Sequence, residues 1–116
     1  MLLVIFLSGC TTLGPTQYQP ESFTGGYSEF QINRSSWRVI FNANGYSGSS
    51  MTEEFAIRRA AELCLQNNYS FFFIQAISNS INGGKPQSIV TATFTNDETL
   101  DVVLFDAETY LSQFDA

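Results

Sequence analysis

Histidine is absent from the 116-residue chain, and only five residues are basic. Histidine is the commonest general base and metal ligand, so its absence excludes Ser-His-Asp, Cys-His and His-metal sites. The net charge of −6 argues against binding to a nucleic-acid backbone or to an anionic membrane surface. From these absences we predict a non-enzymatic protein with no cofactor, no metal and no nucleic-acid partner.

Charged residues are also scarce, at 14% of the chain, whereas 44% of the residues are apolar and 15% are aromatic. This composition excludes a disordered chain and supports a real hydrophobic core. The length is enough for one domain and leaves no room for a second.

The first ten residues end in Leu7-Ser8-Gly9-Cys10, where a leucine and two small residues precede a cysteine. The apolar run 1–7 is too short for a transmembrane helix, which needs about 20 residues, but it suits the apolar part of a signal peptide. The motif resembles the lipobox of bacterial lipoproteins, in which the cysteine is acylated and becomes the new N-terminus. The resemblance implies a signal segment at 1–9, with Cys10 as the lipidation site. No basic residue precedes Cys10, so we interpret the start as truncated; the alternative is an apolar strand with a buried cysteine.

Residues 10–26 are rich in Gly, Pro, Ser and Thr, and they predict a lipidated tether before a single domain at 27–116. Thr11 stands where, in lipoproteins, an aspartate retains the protein at the inner membrane. The resemblance therefore implies an outer-membrane lipoprotein that faces the periplasm and is held by acyl chains such as palmitate.

One amphipathic helix is predicted over residues 50–67. Its start has the spacing of a capping box, Ser50-Met51-Thr52-Glu53, and Asn67-Asn68 is a plausible stop. At 100° per residue the small residues Ala60, Ala61 and Cys64 fall on one apolar face, which can lie close against a sheet. We expect the Cys64 thiol to be buried and unreactive.

Alternation of apolar and polar residues predicts the strands. The predicted strands lie at residues 27–32, 37–42, 69–77, 89–94 and 100–105. We take 69–77, which is apolar on both faces, as the central strand, and 79–87 as a long hairpin loop. Asp106 can cap a final helix that runs through Phe114. The order β-β-α-β-β-β-α predicts an α+β domain with an antiparallel sheet and one main packed helix.

The chain from residue 25 to about 77 resembles a family of small Gram-negative lipoproteins of unknown function. The resemblance is carried by Gly25-Gly26-Tyr27-Ser28, by Arg59-Ala60-Ala61-Glu62-Leu63 and by the aromatic run 69–73. Ala43 and Asn68 depart from the family pattern at positions where glycine is common. The resemblance implies a lipid anchor and a compact α+β domain, and it implies no established activity.

Two hypotheses for function remain. In the first, the domain is a non-catalytic module that binds an envelope protein or a cell-wall component. In the second, it binds a small ligand in a pocket among Trp37, Tyr46 and the loops at 42–49 and 79–87. A Ser88–Lys85 dyad is a weak catalytic candidate, because a loop is a poor place to lower the pKa of a lysine.

Phe55, Arg59 and Glu62 are the candidate partner-binding residues. The 100° rule places Phe55 on the polar side of the helix, with Arg59 one turn away in position for a cation–π contact. The alternative is that Phe55 is covered by its own chain, either by the C-terminal helix or by the tether through Tyr18 and Phe23.

Overall fold

The computed structural model describes residues 14–45 and 47–114. The strands are β1 (Gly26–Gln31), β2 (Ser36–Asn42), β3 (Phe71–Asn82), β4 (Lys85–Thr95) and β5 (Phe105–Asp106), and the helices are α1 (Ser49–Gln66) and α2 (Ala107–Ser112). This order, β-β-α-β-β-β-α, confirms the predicted α+β class with one main helix.

The five strands form one antiparallel sheet in the order β1-β2-β4-β3-β5. The central strand is β4, which pairs with β2 on one side and with β3 on the other. The prediction of a central strand at 69–77 is therefore wrong. Only Phe71 and Phe72 of β3 pair with β5, so most of β3 lies at an edge of the sheet.

The predicted loop at 79–87 is also wrong, because β3 and β4 run through it as a paired hairpin. Gly83 and Gly84 form its two-residue turn, with φ of 59° and 79°. Turns of this kind need positive φ at both central residues, which glycine adopts without strain. The predicted strand at 100–105 is reduced to the two residues of β5.

Helix α1 packs on one face of the sheet through small side chains that are fully buried, Ala56, Ala60, Ala61 and Cys64. The predicted apolar face is thus confirmed. The predicted capping position is wrong, because the N-cap is Gly48 and Ser50 already lies within the helix. The predicted stop is correct, since Asn67 is the C-cap and Asn68 has φ of 68°.

The helix-facing side of the sheet carries the core. Alternate residues of β4 are buried there, from Pro86 through Ser88, Val90 and Ala92 to Phe94. The register of β3 shifts at a β-bulge between Ile74 and Ala76, which inserts one residue. After the bulge, Ile77, Asn79 and Ile81 stand opposite buried residues of β4 and so face the helix side.

Residues 14–26 do not form the free tether that the composition predicts. Tyr27 donates its amide to Gln19 O and accepts from the amide of Glu21, both at 2.8 Å, so this segment runs beside β1. Thr16 is only 3% exposed. The composition does not predict this packing, because backbone and hydroxyl hydrogen bonds and the single aromatic ring of Tyr18, rather than a repeating apolar pattern, hold the segment. Residues 1–13, with Cys10 and the rest of the tether, lie outside the described residues.

The close approach of residues 19–20 to the start of β1 requires glycine at position 26. Its φ is +136°, and a Cβ built there would lie 2.5 Å from the carbonyl oxygens of Gln19 and Pro20. Any other residue would therefore be strained by its backbone conformation and by the contact.

Candidate functional site

Phe55, of the predicted partner patch, packs within its own chain. The centroid of its ring is 5.1 Å from that of Phe41 and 5.3 Å from that of Tyr18. The side chain is partly buried against the core. Tyr18 thus covers the Phe55 ring, which is one of the alternatives that the sequence left open. Phe23, the second tether residue proposed to cover this ring, is fully exposed.

Arg59 and Glu62 lie together, and their contacts are also internal. Arg59 Nε donates to Glu29 Oε1 at 3.2 Å, and Nη1 donates to Glu62 Oε1 at 3.1 Å. The guanidinium lies over the ring of Tyr27, 4.5 Å from its centroid, and not over Phe55 as predicted. The three residues are thus engaged in holding β1 and the N-terminal segment onto α1.

Tyr18 joins this cluster from the N-terminal segment. Its hydroxyl donates to Glu62 Oε1 at 2.6 Å, and burial together with this hydrogen bond raises the pKa of the phenol. Arg58 lies 4.0 Å from the centroid of the Tyr18 ring and 4.6 Å from that of Phe114. The guanidinium therefore links the N-terminal segment, α1 and the C-terminal end of the described chain.

A chain of polar side chains joins the beginning of α1 to the β3–β4 hairpin. The hydroxyls of Thr52 and Ser88, both buried, are 2.7 Å apart, and the Ser88 hydroxyl donates to Asn79 Oδ1 at 2.5 Å. Asn79 Nδ2 donates to Glu53 Oε1 at 2.9 Å. Ser88 faces the helix, whereas Lys85 is exposed and, three residues along the strand, lies on the opposite face. A Ser88–Lys85 dyad is therefore not formed.

Cys64 lies on the buried face of α1, as predicted, with no exposed surface. Its thiol is 3.4 Å from Phe71 O and 3.5 Å from Tyr69 O. Burial raises the pKa of the thiol from 9.0 to about 12. The nucleophilic thiolate is accordingly scarce at neutral pH.

The predicted apolar pocket among Trp37 and the two loops is not formed by the described residues, and Tyr46 lies outside them. A groove of about 160 Å³ does occur, lined by residues 21–25 and 42–44 and by Lys85. The groove includes only a few residues of the two predicted loops. Its volume is below the roughly 300 Å³ that is the lower limit for most ligand pockets. Across residues 14–45 and 47–114, no three Asp, Glu or Cys side chains are grouped for a metal, and no helix is long and apolar enough to cross a membrane.

The outer edge of β3 is unpaired over most of its length in the described chain, and the sequence patterns did not predict it. From Ala76 to Asn82 this strand pairs with β4 on one side, and no strand in the described part of the chain pairs on the other. Residues 75–82 are all exposed, with Ile77 at 40% and Ile81 at 60%. We name residues 76–82 the open edge.

The segment that leads into β5 lies beyond the end of the open edge. Its residues 97–104 run toward the pairing of Phe105 with Phe72. Three apolar side chains in it are exposed, Leu100, Val102 and Val103, the last at 77%. Asp97, Glu98 and Asp101 give the same segment a negative charge. This segment therefore presents apolar and acidic side chains near the end of β3 that pairs with β5.

No protein-family model matches this chain, and neither a curated protein nor a solved structure matches it. The resemblance to small lipoproteins consequently stays a prediction.

Proposed function

We propose that this protein is an outer-membrane lipoprotein, anchored through Cys10 and facing the periplasm, whose domain binds an envelope protein without catalysis. The motif Leu7-Ser8-Gly9-Cys10 supports the anchor. The open edge is the observation that carries the binding role, because it offers a row of backbone groups to an added strand.

Strand addition suits this edge for two reasons. The backbone amides and carbonyls of an edge strand form hydrogen bonds with any extended chain, and these supply affinity. The exposed side chains of Ile77 and Ile81 lie on the helix side, where an incoming strand can bury them. Pairing thus combines polar and apolar contacts along one strand.

Partner binding at Phe55, Arg59 and Glu62 has less support, because all three side chains contact their own chain. The ligand-binding alternative depends on the groove beside 42–44, whose small volume gives it less support too.

The anchor is tested by mass spectrometry of the mature protein, expressed with its natural start in a Gram-negative host. We expect an N-terminal Cys10 that carries diacylglycerol and an amide-linked acyl chain. A chain that keeps its initiating methionine, or an unmodified cysteine, would contradict the anchor.

The binding role is tested by photo-crosslinking in intact cells. A photoreactive phenylalanine analogue replaces Ser78 or Ser80 on the open edge, and Gln31 on β1 serves as the matched exposed control. We expect cross-linked protein from positions 78 and 80 and much less from position 31. Equal yields at all three positions, or none, would refute a role for the open edge.

A further inference from the structure

The open edge has a sequence that is the same in both directions, Ile77-Ser78-Asn79-Ser80-Ile81. Antiparallel pairing reverses the direction of one strand relative to the other. Two copies of this segment, paired about Asn79, therefore place each side chain opposite one of its own kind. Side chains that are directly opposite on antiparallel strands are the pairs that stabilise a sheet.

The charge distribution favours the same partner. The chain carries 11 acidic and five basic residues, so two copies repel each other over most of their surface. Residues 75–82 contain no charged side chain. The paired strands themselves therefore place no like charges opposite each other, and the nearest carboxylate, that of Glu53, accepts a hydrogen bond from Asn79 in each copy.

We propose that the open edges of two copies pair antiparallel about a twofold axis at Asn79, joining two five-stranded sheets into one of ten strands. This inference builds on the proposed binding role by naming the partner as a second copy of the chain. In this register Ile77 lies opposite the partner's Ile81, and Ser78 lies opposite the partner's Ser80. The two isoleucine pairs bury apolar surface that is exposed in a single copy.

The same arrangement is compatible with two anchors in one membrane. A twofold axis between antiparallel edge strands is perpendicular to the sheet, so both α1 helices lie on the same face of the joined sheet. Tyr18 of the N-terminal segment packs on Phe55 of α1, on that face. Both N-terminal segments therefore lie on one side of the pair.

Cysteine cross-linking tests the register in the full-length lipoprotein within its own envelope. Two differently tagged copies, one with Ser78→Cys and one with Ser80→Cys, are co-expressed and oxidised. Directly opposed residues have Cα atoms about 4.5–5.5 Å apart, which suits a disulfide, whereas 78–78 and 80–80 pairs lie about 7–8 Å apart. We expect on the order of tenfold more mixed disulfide than either like disulfide, with the linked peptides identified by mass spectrometry.

Charge on the open edge provides the second test. The double variant Ser78→Lys, Ser80→Lys places four lysines around the twofold axis, so we expect the detergent-solubilised wild-type dimer to become a monomer. The control variant Gln31→Lys on β1 should remain dimeric.

Two results would overturn self-pairing: a wild-type chain that is monomeric in its membrane, or equal yields of mixed and like disulfides. Capture of a different protein at positions 78 and 80, without a mixed disulfide, would also refute self-pairing. That result would nevertheless support the proposed binding role, so the failures of the two proposals are distinguishable.

Discussion

The two edges of the sheet are built differently. At β1, residues 19–22 run beside the strand, and the carbonyl of Gln19 accepts the amide of Tyr27. Pro20, which lacks an amide, lies in this covering segment, and Glu29 of β1 is ion-paired with Arg59. At β3, the open edge has no covering segment in the described chain and no charged residue.

Within residues 14–45 and 47–114, the chain therefore covers one edge of the sheet and leaves the longer edge accessible. Natural sheets usually protect an exposed edge with lysine, proline or a covering segment, because unpaired edges associate. The open edge has none of these within residues 76–82, and the β-bulge precedes it. Comparing the edges therefore identifies β3, and not β1, as the strand available to a partner.

We call β1 with the residues 19–22 that run beside it the covered edge. Tyr18→Ala is the variant that should destabilise this edge most. It removes the ring that packs against Phe55 and Arg58, as well as the hydrogen bond to Glu62. We expect the free energy of unfolding to fall by about 2–4 kcal/mol, toward the lower end for large aromatic truncations because the ring is only partly buried. Urea denaturation measures this loss in the free energy of unfolding.

Tyr18→Phe is the matched control, since it removes only the hydroxyl. The loss in the free energy of unfolding should be about 1.5 kcal/mol, the lower end of the range for a hydrogen bond to a charged acceptor, because the site is only partly buried. If Tyr18→Ala were as stable as wild type, the N-terminal segment would not be part of the folded domain.

Gly26→Ala should open the covered edge without removing a side chain. The new Cβ would meet the carbonyl oxygens of Gln19 and Pro20, and the residue would keep a φ that alanine disfavours. We expect a loss of about 1–3 kcal/mol together with faster limited proteolysis at residues 19–22. Gly45→Ala, where the nearest heavy atom is 3.8 Å away, is the control and should change stability little. Equal effects of the two substitutions would contradict the close approach.

Cys64 is a pH probe of the packing beneath the first residues of β3. Its folded pKa is raised by burial from 9.0 to about 12, so above pH 9 the unfolded chain releases a proton that the folded chain keeps. The contribution of the protonated thiol to the free energy of unfolding is therefore fully present below pH 9, and it is lost as the pH rises toward 12. Between pH 8 and 10 we expect wild type to lose roughly 1 kcal/mol more than Cys64→Ala, measured by urea denaturation. Identical pH dependences would show that the thiol is not buried in solution.

Ser80→Lys should have the smallest effect on folding, although it alters the open edge. The side chain is exposed and points away from the helix side of β3, so we expect stability to change by less than about 0.5 kcal/mol. Urea denaturation at a protein concentration low enough for both chains to be monomeric measures this change in stability. A loss above about 1 kcal/mol would mean that this strand is already covered within its own chain.

The sequence predicts the parts of this fold that depend on local apolar patterns. The small-residue face of α1, the β1–β2 hairpin, the stop at Asn68 and the order of elements all follow from such patterns. The β1 pattern also separates Tyr27 and Glu29 from Phe30 and Ile32. The pattern does not reveal that the face with Glu29 lies toward the helix, because a carboxylate there is unexpected. It is tolerated because Arg59, which is distant in sequence, forms an ion pair with it.

The open edge could not be predicted from local pattern, because its polar residues and the two glycines that follow it resemble a loop. Pairing with β4 makes residues 79–82 a strand, and that pairing is a long-range property of the sheet. The position of β3 at the edge likewise depends on β4 lying between β2 and β3. The one local signal for the site is the sequence that is identical in both directions about Asn79.

The packed N-terminal segment has a consequence for the geometry of anchoring. Because the domain is already folded from Gly14, only three residues lie between it and Cys10, and the four residue-to-residue steps reach at most about 14 Å. A lipid on Cys10 would therefore confine the domain to a thin layer at the bilayer surface, where copies diffuse in two dimensions. Such confinement raises the effective concentration of one copy around another, so contacts too weak to persist in dilute solution become populated.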